Sequence, residues 1–324
     1  MSSLAALRVL DLSEGVAGSY CAKLLADYGA EVIKIERPGG GDPTRRHGPF
    51  AGDQPHPERG ALFLYLNTNK KGITLDISQS TGARLLRRLI TVSEVMVESY
   101  PPGYLAGLGL GYAALSALKP RLVVTSITPF GQTGPYSSYK ATNLTAFAAG
   151  GQMSLTGEPD REPLKNGGYQ AEYQAGLHAF AATAVAAVSA DATEVGQHVD
   201  ISAMECQASA LELYLPFYAY LKRDLSQRRG SVPVAFVHTL QDLLDSPQLQ
   251  ERQYFQEIDH PQAGRLTYPG PPFRMSGLPL RQAQGRPWQA GRAPMLGEHN
   301  VDIYCGELGL SREELSILRA SGVI

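Results

Sequence analysis

The stretch LRVLDLSEGVAGSYCAKLLADYGAEVIKIER, residues 7–37, decides the fold. Its two ends, LRVLDLS at 7–13 and EVIKIER at 31–37, are short β-prone runs, and the alanine- and leucine-bearing stretch near 19–29 between them stops at Gly29. Strand, helix and strand in succession make a βαβ unit. Outward from it, β-prone runs at 73–77, 95–99 and 121–128 alternate with helical patterns at 80–93 and 112–118, which predicts an α/β fold around a doubly wound, mostly parallel sheet. An alanine-rich segment at 170–190 suits a helix, and HVDIS at 198–202 reads as a strand followed by a helix near 203–222. Between 226 and 296 Pro, Gly, Gln and Arg accumulate, with one helix around 239–245, so a small irregular domain or an extended connection is expected there. Residues 297–324 turn helical again.

With 324 residues, 43% apolar and 19% charged, the chain can bury a core for one large domain and a smaller one. A formal charge of −2 gives no general attraction to nucleic acid or to an anionic membrane. Cys21, Cys206 and Cys305 lie far apart and form no CxxC pair, against a disulfide framework or a thiolate zinc site; a reducing cytoplasm is the expected compartment. The longest apolar stretch, around 179–188, is too short to span a bilayer, so neither export nor insertion is expected. Seven histidines show no HExxH or other metal spacing, and Ser13, Ser19 and Ser154 lie in no GxSxG elbow. No metal or redox cofactor is expected.

Two places carry candidate chemistry. In the turn SEGVAGSY, 13–20, glycines let backbone N–H groups approach a ligand at a helix N-terminus. Glu36 lies where a nicotinamide dehydrogenase keeps its ribose-binding acid, but the full GxGxxG of that dinucleotide fold is missing. The second place is Glu172, which follows Gly167 and Gly168 and opens the alanine-rich helix. A carboxylate there is stabilised as the anion by the helix dipole, beside free N–H groups that can hold a developing oxyanion. It can attack a thioester; from spacing alone it is more simply an acidic first-turn residue. Basic pairs at Arg45-Arg46, Lys70-Lys71 and Arg228-Arg229 can meet phosphates or lie in solvated turns.

The runs at 7–45, NTNKKGITLDIS at 67–78, VMVESYPPGYLAGLGLGY at 95–112, FGQTGPY at 130–136, GQHVDISAMEC at 196–206 and APMLGEHN at 293–300 together resemble the family III coenzyme A transferases of the CaiB/BaiF type. The resemblance implies a large Rossmann-like domain over 1–225, a reduced second domain or connection over 226–289, and a C-terminal segment, 290–324, returning to the large domain. It also implies dimers interlocked like links of a chain, or a heteromer with a paralogue, acting on an acyl-CoA and a small carboxylic acid. The implied chemistry is covalent: a carboxylate attacks the acyl-CoA to give a mixed anhydride, CoA returns to form an enzyme thioester, and an acceptor acid takes over the CoA.

By the same resemblance Glu172 stands where the family keeps its catalytic aspartate. Gly15, Val16 and Ala17 would line the CoA nucleotide and Arg37 would reach its phosphate or adenine. Leu75 would pack nearby, Ser99 and Tyr100 fall in the family's Asn-Phe-x-Pro-Gly segment, and Tyr104 comes directly after it. Lys140 falls where some transferases place a basic active-site residue.

Four departures accompany the match. Glu172 is one methylene longer than aspartate, Ser78 replaces a lysine, Ser99 an asparagine, and Gly107 an arginine that contacts CoA phosphate. QRRGS at 227–231 runs directly into VPVAFVHT at 232–239, where the family has most of its small domain and a glycine-rich shielding loop. These leave open a second class of function, a weakened subunit that binds acyl-CoA or supports a catalytic paralogue. A 2-methylacyl-CoA racemase is a further alternative, but Thr142 and Asn143 occupy the place of its His-Asp pair.

Overall fold

Alternating side chains along the strands feed two separate cores, which fixes the layering. The computed structural model describes residues 4–158, 160–211, 214–222, 239–272 and 291–324. In chain order the large unit comprises β1 (Arg8–Asp11), α1 (Ala17–Asp27), β2 (Glu31–Glu36), α2 (Ala61–Leu66), β3 (Lys71–Thr74), α3 (Ser80–Thr91), β4 (Val95–Glu98), α4 (Tyr104–Gly107), α5 (Tyr112–Leu118), β5 (Val123–Thr128), α6 (Asn143–Ala149), α7 (Gln170–Thr193), β6 (His198–Ser202) and α8 (Ala203–Ser209). The strands form one six-stranded parallel sheet in the order β3-β2-β1-β4-β5-β6. Leu10, Ile33, Met96 and Val124 face a core completed by α3 and α5, whereas Val9, Val32, Val97 and Ile127 face a second core completed by α1 and α7. Period-two alternation of apolar residues on strands buried on both faces produces this doubly wound arrangement.

The helix expected near 203–222 is divided. It forms α8 and then α9 (Tyr214–Leu221), with Ala210 and Leu211 between the α8 end and the next described residue. Beyond it follow α10 (Leu240–Leu244), α11 (Pro247–Glu251) and an antiparallel hairpin of β7 (Phe255–His260) and β8 (Gly264–Pro269). The hairpin lies inside the stretch expected to be irregular. FQEIDH and GRLTYP pair across a short turn, and Ile258 and Tyr268 bury against Phe63, Leu64 and Ala293. The direct junction of QRRGS with VPVAFVHT lies outside the described residues.

A π-helical segment, Val301–Glu307, and α12 (Arg312–Ala320) complete the chain, and Ile303, Tyr304, Leu315, Val323 and Ile324 join the α3/α5 core. This segment also seals β3, the open edge of the sheet. Gly72 N–H donates to His299 Nδ1 at 3.0 Å, Thr74 N–H donates to Asn300 Oδ1 at 2.9 Å, and Tyr304 OH donates to the Thr74 carbonyl at 2.8 Å. Edge groups that would otherwise await another strand are thereby satisfied.

At 24 residues α7 is long and apolar enough, by length and composition, to cross a bilayer, which corrects the expectation drawn from 179–188. The physical reason is that alanines on either side of that run extend the helix in both directions. In this fold α7 packs against α1, α8 and β5, with Ala171, Ala175, Ala179 and Ala186 buried in the core they share.

Candidate active site

In a parallel sheet the connecting helices begin at the carboxyl edge of the strands, and the crevice opens where the strand order reverses. Here that point lies between β1 and β4. The loops that leave these two strands are clamped together: Glu14 N–H donates to Ser99 Oγ at 2.8 Å, and Ser99 Oγ donates to the Glu14 carbonyl at 3.1 Å. Ser99 is therefore a clamp between backbone segments. Gly15 adopts a φ of 80°, a conformation that costs glycine little, and the chain turns there into Val16 and the start of α1.

A buried polar network holds this turn from beneath. Lys34 lies 2.9 Å from Asp42, and Lys70 lies 2.8 Å from Asp11 and donates to the Ser19 carbonyl at 2.9 Å. Glu36, expected as a ribose acid only in a dinucleotide fold, is fully engaged instead: its two oxygens receive Nε and Nη2 of buried Arg45 at 2.7 and 2.8 Å. That pairing leaves no carboxylate for a ribose and removes the dehydrogenase reading.

A narrow groove opens beside the turn, lined among others by Glu14, Arg37, Gly41, Leu75 and Tyr100. Arg37, Leu75 and Tyr100 were all expected at a nucleotide site, and the fold brings them together. Arg37 is largely exposed and pairs with Glu14 at 3.1 Å. Tyr104 stacks on Tyr100 with ring centroids 4.9 Å apart. Behind this aromatic pair, in a cavity of about 160 Å³, Ser126 Oγ lies 2.9 Å from His198 Nε2 and Glu98 accepts the Tyr100 N–H at 2.7 Å. Burial raises the pKa of Glu98. Sequence reasoning gave Glu98, Ser126 and His198 no role, because no spacing links them; they converge only through strand register.

Glu172 approaches the turn from the other side. It lies half-buried in the first turn of α7. Burial raises its pKa, and the nearby Val16 backbone N–H works against that shift. The N-terminus of α1 thus points at the carboxylate that the N-terminus of α7 carries. The approach depends on Gly176, because a Cβ there would lie 2.5 Å from the Ala17 carbonyl oxygen. Tyr173 packs edge-on against Tyr20, with centroids 4.9 Å apart, and Tyr65 joins at 6.4 Å. Burial, aided by Tyr20 and Glu172, pushes the Tyr173 phenol up to about 12, so it remains a hydroxyl donor at neutral pH.

The remaining expected positions divide. Ala17 packs on α7 and the Val16 N–H lies near Glu172, so the 15–17 turn runs between the carboxylate and the groove. Lys140 is exposed on the connection between β5 and α6, and no hydrogen bond or ion pair described joins it to Glu172. Gly107 faces open space, while Ser78 folds onto Asp76 with N–H···Oδ1 of 3.0 Å. Thr142 caps α6. Asn143 Oδ1 accepts the N–H groups of Ala171 and Glu172, so this side chain is an acceptor bound to backbone and supplies no base for racemisation. Among the described residues no three His, Cys, Asp or Glu side chains gather as a metal site.

The model of CoA-transferase family III matches residues 4–231 and 224–300. The chain is similar to the succinyl-CoA:(R)-benzylsuccinate CoA-transferase subunit BbsE of Thauera aromatica, with 31% identity covering 98% of this chain and 97% of that protein. It is 26% identical to the human succinyl-CoA:glutarate CoA-transferase, covering 99% and 90% of the two chains. Both alignments run over more than 400 positions against 324 residues here, so each relative carries segments that this chain lacks. Among solved structures, a CaiB/BaiF family protein from Brucella suis superposes with a TM-score of 0.80 at 25% identity, over 94% of this chain and 99% of that one.

Proposed function

We propose, on the premise that this chain belongs to CoA-transferase family III and moves CoA between an acyl-CoA and a carboxylic acid, that Glu172 is its nucleophile in the position of the family's aspartate. The observation that carries this reading is a half-buried carboxylate in the first turn of α7, beside the Val16 N–H at the start of α1, with the groove lined by Arg37, Leu75 and Tyr100 beside the same turn. A Glu172 oxygen attacks the thioester carbonyl, the C–S bond breaks, and CoA leaves as thiolate. The thiolate then attacks the Glu172 carbonyl of the anhydride and expels the donor acid as carboxylate, leaving a Glu172–CoA thioester. The acceptor carboxylate reverses these two steps. Glu172 is regenerated with no net change in protons, water or redox state.

Backbone N–H groups at the start of α1 supply the oxyanion contacts, since those of Ala171 and Glu172 on α7 are taken by Asn143 Oδ1. The extra methylene of glutamate suits a carboxylate that must reach across to Val16 from α7. Arg37, Leu75, Tyr100 and Tyr104 hold the CoA moiety, whose 3′-phosphoadenosine end meets the exposed guanidinium. No permanent cofactor takes part. Cys21 and Cys206 are buried and Cys305 is partly buried, all as free thiols, in keeping with a reducing cytoplasm.

A hetero-oligomer is a second arrangement, favoured because the Thauera relative and a succinyl-CoA–L-malate CoA-transferase beta subunit from Chloroflexus aurantiacus are both named as subunits. The test is intact mass spectrometry after incubation with succinyl-CoA and a panel of other acyl-CoAs, followed by borohydride or hydroxylamine trapping. Conversion confined to residue 172, and absent in Glu172→Gln, is expected. Transfer that persists in Glu172→Gln would overturn the assignment, whereas CoA binding without any adduct would favour the supporting subunit.

A further inference from the structure

We propose that Asn143 is a positioning residue for Glu172: a neutral amide that fixes the first turn of α7 from a neighbouring helix without placing a charge beside the nucleophile. The inference rests on the Glu172 reading and adds to it the residue that sets where the carboxylate stands.

The α7 helix begins without its own cap. Tyr169, at the N-cap position, offers no side-chain acceptor. Its first amide groups are instead met from outside, by Asn143 Oδ1, which accepts from Ala171 N–H at 3.0 Å and from Glu172 N–H at 3.3 Å. The other half of the amide is also used, as Nδ2 donates to the Gly168 carbonyl at 3.3 Å. Two N–H donors on one side and a carbonyl on the other fix which way the amide faces. At 9% exposure, Asn143 is a buried bridge between the start of α6 and both sides of the α7 start.

The bridge is itself held. Thr142 and Thr145 form a reciprocal capping box at the start of α6, and Ala146 and Phe147 bury in the core that α7 shares. Displacing the Asn143 side chain therefore displaces Glu172 relative to Val16, rather than α6 relative to the sheet. Aspartate is nearly isosteric and can accept from both N–H groups, but it cannot donate to Gly168. It would also add a negative charge next to a carboxylate already buried. The other titratable groups nearby are Tyr173 on α7, Tyr20 on α1, Glu14 at the turn, and Lys165, whose Nζ donates to the same Gly168 carbonyl at 3.2 Å. Lys165 is exposed and its charge is screened by solvent, and Glu14 is itself an anion, so neither compensates a negative charge introduced at position 143.

The experiment compares wild type, Asn143→Asp and Asn143→Ala in the full chain, measuring kcat and KM for succinyl-CoA from pH 5 to 9, thermal unfolding, and trapping at Glu172. For Asn143→Asp the acid limb of kcat is expected to move up by about one to two pH units, with activity recovering at high pH and KM little changed. For Asn143→Ala, kcat is expected to fall by about 100-fold across the pH range, from loss of position rather than of charge. An unshifted profile for Asn143→Asp in a folded protein overturns the proposal, as does wild-type kcat in Asn143→Ala. Trapping in wild type separates the two layers. Without an adduct at Glu172 the nucleophile assignment falls; with the adduct but no shift, only the role of Asn143 does.

Discussion

Gly176→Ala is expected to move Glu172, the proposed nucleophile, without touching it. A Cβ at this position would lie 2.5 Å from the Ala17 carbonyl oxygen and 3.2 Å from the Tyr20 side chain. Nonbonded carbon contacts settle at about 3.5 Å, so α7 must retreat from α1 by roughly 1 Å or the turn at 15–17 must give way. Glu172 lies four residues earlier, on the same helix face, so the retreat passes directly to its distance from the Val16 N–H. Overpacking costs about 1–3 kcal/mol, and the better helix propensity of alanine returns about 1 kcal/mol of that. A displacement of about 1 Å lowers kcat by about 100-fold, far more than the stability change can account for in a folded sample. KM for CoA should hold, because Arg37, Leu75 and Tyr100 are not on α7. Steady-state transfer from succinyl-CoA, followed by chromatography of the CoA thioesters alongside denaturant unfolding, reads all three quantities. A Gly176→Ala enzyme with wild-type kcat, or one whose loss merely tracks its unfolded fraction, would refute the claim that α1–α7 contact sets the reacting distance.

Glu172→Asp should retain trapping at residue 172 while kcat falls by about 100-fold, since the shorter arm withdraws from Val16; a faster enzyme would count against that geometry. Burial raises the folded pKa of Glu172 above its ordinary value, so the stability contribution of its protonated form is complete below the ordinary carboxylate range and is lost as pH rises through the folded pKa. Glu172→Gln should therefore gain stability relative to wild type as pH rises from 4 to 8, read from denaturant midpoints, and a gain that shrinks over that range contradicts the assigned shift. Arg45→Ala strands the buried Glu36 carboxylate and should cost about 3–5 kcal/mol, whereas the double variant Arg45→Met with Glu36→Gln should recover most of it. Equal losses in single and double variants would show that packing on the Phe63 ring, 3.6 Å away, is what matters.

The sheet was legible because its strands bury both faces and carry β-branched and leucine-rich runs such as VLDL and VIKI, each broken by one buried charge, and because HVDIS at 198–202 maps residue for residue onto β6. The hairpin at 255–269 was missed for the opposite reason. Its apolar alternation is weak, because the buried positions of β7 are Ile258 and the polar His260 amid Gln, Glu and Asp, so its stability comes from Phe63 and Leu64, almost two hundred residues away in sequence. At the site, Arg37, Leu75 and Tyr100 could be placed from the resemblance, and the groove unites them. Glu36 holds the position of a ribose-binding acid, but the GxGxxG that should accompany it is missing, and Arg45 occupies both its oxygens, a pairing across a turn that spacing does not reveal. Asn143 was readable only as a missing histidine-aspartate pair; its work as a cap for another helix depends on tertiary placement.

For Glu172 as the proposed nucleophile, burial would favour reactivity and threaten charge at the same time. A carboxylate shielded from water attacks a thioester more readily, yet the same shielding raises its pKa and favours the inert acid. The parallel sheet answers with geometry, since α1 and α7 both start at its carboxyl edge and present N–H groups and positive dipole ends to the same few ångströms. Adding a lysine there would stabilise the anion further, but it would also weaken the attack. Neutral donors at the start of α1 favour the anion without pairing it, while Asn143 accepts the Ala171 and Glu172 N–H groups and so fixes the helix that carries the carboxylate without adding a charge. The acid limb of the kcat profile measures whether this balance holds: it should lie above the ordinary carboxylate range in wild type, and move higher only when a charge replaces the amide.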